Sequence, residues 1–313
     1  MSPLPNPNQG QPRKVLIIGA GIYALVAAKT YLQINPEIDL TLLDSDSTVG
    51  GVWSASRAYP GLVADLPAPI YEFSDLSMCD EFNIPKWGDI SGQVFHQYLV
   101  RYAAKFDVLR RCKLNTEVLD VERDGKGWRV RMRGVGDSSG REEIMKCDVL
   151  IVATGNFSKP SIPDIDTSVF DGLVLHMKDF NKRYHEIASD KVQTVVVVGG
   201  NKSSVEAVGA CTRAGKQVYW VIRKDGAGPG MLLNSRLPNG RSNIELSLTR
   251  FFTLNNHTIF GTRGWWDRFV LSGHYKLGTR FFNWFWTKMT AQQIKGRYDK
   301  SENGRLLKPK IEK

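Results

Sequence analysis

The chain lacks any closely spaced cysteine pair: its four cysteines, Cys79, Cys112, Cys147 and Cys211, lie far apart. Without C-x-x-C spacing there is no dithiol for redox exchange, so disulfide reductases are excluded and the thiols read as reduced and half-buried. The five histidines show no metal-ligand spacing, and no metal is expected. No run approaches the roughly eighteen apolar residues that cross a bilayer. The opening MSPLPNPNQGQPRK has no hydrophobic stretch and reads as a disordered lead-in over residues 1–13, not a secretory signal. A cytoplasmic protein is the expectation.

What is present is ordinary in bulk and uneven in detail. At 313 residues, 42% hydrophobic and 24% charged, the chain has the size of two domains and the composition of a globular protein. Its net charge of +10 is concentrated late, since residues 241–313 hold 14 Lys/Arg against 5 Asp/Glu. Such a patch raises the question of nucleic acid. No nucleic-acid motif accompanies it, so none is expected as a partner.

The stretch KVLIIGAGIYALVAAKTYL reads as a buried strand, a tight turn and a helix. Gly19 makes the turn, Gly21 lets the backbone approach a pyrophosphate, and Ala24 permits close helix–strand packing. The helix start then offers N–H groups and positive dipole to phosphate. A second strand, IDLTLLD, ends in Asp44, 25 residues after Gly19, where a carboxylate accepts from a ribose hydroxyl.

Beyond Asp44, SDSTVGGVW places Gly50, Gly51, Val52 and Trp53 at the spacing seen in two-dinucleotide flavoproteins. The chain resembles the flavin-containing and Baeyer–Villiger monooxygenases (class B), of fungal type. The resemblance continues through YPGLVADLPAPIYEFSD, GQVFHQYLVRYAAKF, LNTEVLDV and CDVLIVATG. It implies that Asp44 and Trp53 touch the flavin nucleotide, that the backbone near Val118 meets the adenine, and that the turn of Ala153 and Gly155 closes over the cofactor. FAD is the implied cofactor. The segment from Gly127 to Thr154 alternates as a strand meander with a loop at 134–141. Phe170, Gly172, His176 and Phe180 satisfy F-x-G-x-x-x-H-x-x-x-F, the fingerprint of these monooxygenases, with His176 in the linker between two nucleotide domains. A plainer role for His176 is a hydrogen bond to a linker carbonyl.

A second turn follows in VVVVGGNKSSVEAV, with Gly199 and Gly200 leading into a helix. Asn201 stands where a second glycine belongs, a substitution explained by asparagine's tolerance of left-handed backbone, and Ser204 takes the last small position. Ser203 is placed to cap the helix and donate to phosphate. The next strand, KQVYWVIRK, ends in Arg223 and Lys224, and Arg223 lies 24 residues after Gly199. Basic residues where the first unit has Asp44 favour a 2′-phosphate, hence NADPH. A surface Arg–Lys pair is the alternative.

The fold class expected is α/β with two Rossmann-like domains, an FAD domain holding an inserted NADPH domain, and a C-terminal helical aromatic segment. Its divisions are 14–165 (FAD), 166–182 (linker), 183–240 (NADPH) and 241–313 (basic, aromatic). WWDRFVLSGHYKLGTRFFNWFWTKM interleaves basic and aromatic residues at helical spacing. It reads as the wall of a lipophilic substrate site, as a face covered by further sequence, or as a peripheral membrane contact.

Two departures from the family pattern stand out. Asp65 takes the place of an asparagine that donates a hydrogen bond to the oxygen being activated, and an ionised carboxylate cannot donate. It can serve as a catalytic residue only where burial keeps it protonated. Family chains also continue past the point where this one ends in LLKPKIEK, so an open flavin is expected. The functional expectation is an FAD- and NADPH-dependent monooxygenase acting with O2 on a small lipophilic substrate, plausible in secondary metabolism. The alternatives are an NADPH:flavin oxidoreductase releasing peroxide, or a nucleotide-binding pseudoenzyme.

Overall fold

The computed structural model describes residues 13–223, 242, 244, 245, 248, 249, 265–270 and 273–297. Two compact units divide the chain. One comprises residues up to Ala64, Glu72–Ile84 and Ile90–Ser189, and the other Asp65–Tyr71, Pro85–Asp89 and everything from Asp190 on.

The first unit is built on β1 (Lys14–Ile18), whose run of Val15, Leu16 and Ile17 is buried. A continuous apolar strand suits the centre of a parallel sheet covered on both faces. β1 pairs in parallel with β2 (Asp39–Leu43) and with β7 (Val149–Val152), and the short β3 (Cys112–Lys113) extends the sheet beyond β2. Ile18 is in register with both Leu43 and Val152, so three strands end together at Gly19. That common carboxyl edge is where open parallel sheets bind ligands.

Helix α1 (Ile22–Ile34) buries Ala24, Leu25, Ala28 and Leu32. Two short helices, α2 (Ala68–Tyr71) and α3 (Met78–Phe82), come before α4 (Gly92–Lys105), which buries Phe95, Tyr98, Leu99 and Tyr102. The Tyr98 hydroxyl accepts from the Phe73 N–H at 2.7 Å and donates to the Leu76 carbonyl at 2.8 Å. One buried side chain thereby fixes an irregular segment that has no ladder of its own.

The meander expected over 127–154 is present in part: β5 (Gly127–Gly134) and β6 (Glu142–Cys147) pair antiparallel, β4 (Thr116–Asp124) joins them from before that segment, and its last strand, β7, belongs instead to the parallel sheet. Val130, Met132 and Cys147 pack on Leu16 and Leu43 of the parallel sheet. The linker leads into α5 (Phe180–Ala188), whose buried Phe180 meets Tyr59 edge-on at 4.9 Å.

The second unit holds β8 (Thr194–Val198), α6 (Lys202–Arg213) and β9 (Gln217–Val221), a parallel pair joined by a helix. Ala207, Ala210 and Cys211 are its buried helix face. Later helices at Trp265–Val270 and Lys276–Arg297 meet through Trp266 and Phe281, 6.0 Å apart and edge-on. Among the described residues, no helix is long and apolar enough to cross a membrane.

Candidate functional site

At the common strand edge of the first unit, Gly19 has φ +112°, and a Cβ added there would stand 2.4 Å from the Ala153 carbonyl oxygen. Only glycine satisfies both demands. This contact brings the A-T-G segment against the first turn, and Gly155 follows with φ +67° and open space around it.

Helix α1 starts at Gly21 with no side-chain cap and no acidic residue in its first turn. Its leading N–H groups are therefore available to an anion. Gly21 faces Gly51: a Cβ on Gly21 would lie 3.7 Å from the Gly51 Cα, and one on Gly51 would lie 3.1 Å from the Gly21 Cα. Two bare stretches of backbone thus flank the helix start, a cradle that side chains would fill. The residues fit a dinucleotide pyrophosphate. Ala24 is fully buried one turn into the helix.

Asp44, at the end of β2, accepts from the Ala20 N–H at 2.6 Å and from the Asp46 N–H at 2.8 Å. Each carboxylate oxygen accepts more than one bond, so a ribose hydroxyl can still donate to it. Asp46 gathers the Ser54 and Ser56 hydroxyls at 2.6 and 2.8 Å. Burial opposes its charge, but these hydroxyls, the Ser47 N–H and Arg57 outweigh it and hold its carboxyl below the usual range.

Gly51–Trp53 forms a single helical turn in which Val52 is exposed. The Trp53 ring meets Phe95 edge-on at 5.0 Å, and its carbonyl lies 3.1 Å from His96 Nδ1. A carbonyl only accepts, so Nδ1 carries the proton. Val118 sits at a bulge in β4 and packs on the cluster around Leu16 and Met132.

His176 corrects the plainer of its two readings. It caps the turn Met177–Asp179, and its Nδ1 accepts from the Lys178 N–H at 3.1 Å. The ring serves a linker N–H, not a carbonyl, because it stands at the start of a helical turn where donors lack partners.

The second turn brings Gly199 to φ +128°, with its N–H bonded to the Val221 carbonyl at 3.0 Å. Its carbonyl accepts from the Trp220 indole at 2.6 Å, and Gly200 continues the turn toward α6. A Cβ on Gly199 would stand 2.8 Å from Ser204 Oγ, so Ser204 needs the glycine's bareness. Two expectations fail. Asn201 is extended, with φ −92° and ψ −178°, so tolerance of left-handed backbone explains nothing about it. Asn201, not Ser203, holds the cap position; Ser203 lies inside α6, and no side chain caps the helix.

Asp65 also departs from expectation. Its side chain is 58% exposed and ion-paired to Lys202 at 2.6 Å. That exposure leaves the carboxylate without the burial its catalytic reading required, and its segment Asp65–Tyr71 clusters with the second unit. Arg223 is exposed just past β9. Lys224 lies outside the described residues. Sequence reasoning missed Lys202 and His96, whose partners come from remote segments; only the position of Lys202 at the head of a glycine-turn helix could have flagged it.

Residues 16–231 match the pyridine nucleotide-disulphide oxidoreductase family. The chain is 37% identical over 312 residues to the FAD-dependent monooxygenase resA of Aspergillus sclerotiorum, covering 94% of this chain and 52% of that one. It is 36% identical to an FAD-dependent monooxygenase of Pyrenophora dematioidea, covering 94% of this chain and 55% of the other. It therefore spans about half the length of the curated relatives it matches. An oxidised steroid monooxygenase solved with NADP bound shares the fold, with a TM-score of 0.62 and 21% identity over 96% of this chain and 60% of that one.

Proposed function

Because the chain belongs to the pyridine nucleotide-disulphide oxidoreductase family and to its FAD-dependent monooxygenases, we propose that it is part of an oxygenase using FAD and NADPH. The observation that carries this reading is the uncapped start of α1 facing the bare backbone of Gly51, with Asp44 at the end of the next strand. When bound, FAD supplies the redox chemistry: NADPH and a proton reduce O2, one oxygen atom enters the substrate and the other leaves as water.

The residues divide the remaining work. Gly19, Gly21 and Ala24 shape the first turn, while Gly50, Gly51, Val52 and Trp53 form its far wall. Asp44 accepts from the ribose, and the backbone near Val118 flanks the adenine. Ala153 and Gly155 close the edge beside β7. In the second turn Gly199, Gly200 and Ser204 admit the visiting dinucleotide, and Arg223 with Lys224 takes its 2′-phosphate. The cluster of Trp266, Phe269 and Phe281 supports a lipophilic substrate of secondary metabolism. The basic residues Arg268, Lys276 and Arg280 beside it keep peripheral membrane contact as a second reading.

Purified protein is expected to carry a flavin spectrum that bleaches with NADPH under exclusion of oxygen. Gly21→Val introduces a branched side chain beside Gly51 and should leave the protein colourless. Equal flavin content in both proteins would refute the site. Peroxide formed in step with NADPH use, with no oxygenated product from any lipophilic candidate, would favour an NADPH oxidase instead.

A further inference from the structure

Beyond the second turn come α7 (Trp265–Val270) and α8 (Lys276–Arg297), and α8 has two unlike faces. One packs on α7: Trp266 meets Phe281 edge-on at 6.0 Å, and a Cβ on the buried Gly278 would collide with the Phe269 carbonyl. The other faces outward. Lys276, Leu277, Arg280, Trp284 and Lys288 are all exposed, Leu277 by 70% and Trp284 by 58%. At about 3.6 residues per turn these five fall within an arc of about 120°. Leu277 and Trp284 stand two turns apart on one line, with Lys276 and Arg280 to one side of it and Lys288 to the other. The charge is as one-sided as the geometry, since residues 268–297 hold six Lys/Arg and no Asp/Glu.

We propose that this outward face of α8 lies on an anionic membrane surface, with Leu277 and Trp284 set among the lipid headgroups and Lys276, Arg280 and Lys288 meeting their negative charges. The proposal deepens the reading of this segment as a peripheral membrane contact and does not depend on the oxygenase reading. Lysine and arginine flank the apolar line, so their stems can lie along it while the charged heads reach the headgroups. Tryptophan is amphipathic and favours the boundary between hydrocarbon and water. With no acidic side chain in the segment, nothing in it opposes the negative potential of an anionic leaflet. Among the described residues no helix is long and apolar enough to cross a membrane, so α8 lies in the plane of the interface. Nucleic acid would engage the cations through its phosphates but leave Leu277 in water. The bilayer satisfies both halves of the face.

The test is cosedimentation of the full chain with vesicles of phosphatidylcholine alone and of equal parts phosphatidylcholine and phosphatidylserine. Wild type should bind the mixed vesicles at least about tenfold more tightly, and that binding should fall as salt rises. Lys276→Gln, Arg280→Gln and Lys288→Gln combined should weaken it about a hundredfold, each cation contributing about fivefold. Lys276→Arg with Lys288→Arg keeps the charge and should bind as wild type does. Leu277→Ser with Trp284→Ser should weaken binding to the mixed vesicles about tenfold. These side chains are exposed, so helicity and thermal midpoint should match wild type in every variant. Equal binding of wild type to the two kinds of vesicle overturns the proposal. Binding that survives both the glutamine and the serine substitutions also overturns it, and leaves peripheral contact standing through another face. Failure of wild type to bind either vesicle overturns both. Binding to a duplex oligonucleotide as tight as to the mixed vesicles, and indifferent to the serine substitutions, overturns the lipid assignment in favour of nucleic acid.

Discussion

Gly19 and Gly199 hold the same left-handed backbone, at φ +112° and +128°, yet they meet different neighbours. Behind Gly19 is a backbone carbonyl, and behind Gly199 is the hydroxyl of a serine. Two positions further on, Gly21 and Asn201 also match, with φ −79° and ψ −175° against φ −92° and ψ −178°. Both are extended, so the glycine usual at this position is required for space, not for conformation. The first turn keeps that space and sets Gly21 against Gly51. The second fills it with Asn201 and places Lys202 alongside.

The largest expected effect separates the first position of the two turns. Gly19→Ala combines backbone strain with a clash against the backbone carbonyl of Ala153, just past β7, and should cost about 3–4 kcal/mol. Gly199→Ala carries the same strain, but Ser204 Oγ can rotate away, so about 2 kcal/mol is expected. Urea unfolding of each variant, with flavin content after desalting, measures the difference. Gly19→Ala should lose flavin and Gly199→Ala should retain it. Equal costs, or flavin loss in both, would show that the two turns are not separate devices.

Much of this contrast was legible in the sequence, and the reason is local. Gly19 and Gly199 each follow a run of β-branched or aliphatic residues and precede a helix, so strand, turn and helix are encoded within about twenty residues. The pair β5 and β6 alternates clearly enough to be read the same way, whereas the strand after Cys147, read as part of that meander, joins the parallel sheet through its remote partner β1. What could not be read depends on remote partners or on backbone angles. Nothing near Asp65 announces Lys202, and nothing near His176 shows whether its ring donates or accepts. Asn201 misled for a subtler reason. Its side chain suggested left-handed backbone, but the residue before each of these two helices is extended, whether it is glycine or asparagine.

A smaller effect tests the charge asymmetry between the ends of the second strands, Asp44 in one unit and Arg223 in the other. A charge-assisted bond from Arg223 to a 2′-phosphate is worth roughly 1.5–3 kcal/mol. Arg223→Ala should therefore raise the KM for NADPH about tenfold or more and leave that for NADH nearly unchanged. An unaltered preference for NADPH would place the 2′-phosphate on other residues.

The smallest effect lies in the first turn and depends on pH. His96 is half-buried on α4, with Nδ1 against the Trp53 carbonyl. Burial holds its imidazole below the ordinary value of 6.5, although the Trp53 carbonyl and the Asp46 carboxylate both favour the cation. The folded chain thus binds the His96 proton less readily than the unfolded chain does. The resulting stability is complete above the unfolded value and is lost as pH falls through the lower folded value. The wall formed by Gly51–Trp53 should accordingly loosen on the acid side of pH 6.5. Flavin release, followed by fluorescence from about pH 7.5 down to about pH 5 across the imidazole range, should rise toward acid in the wild type. Leucine in place of His96 removes the titrating ring and keeps an apolar side chain beside the Gly51–Trp53 turn. His96→Leu should flatten that rise without abolishing flavin binding at neutral pH. An identical acid profile in the variant would assign the loss to the carboxylates, with Asp46 the first to examine.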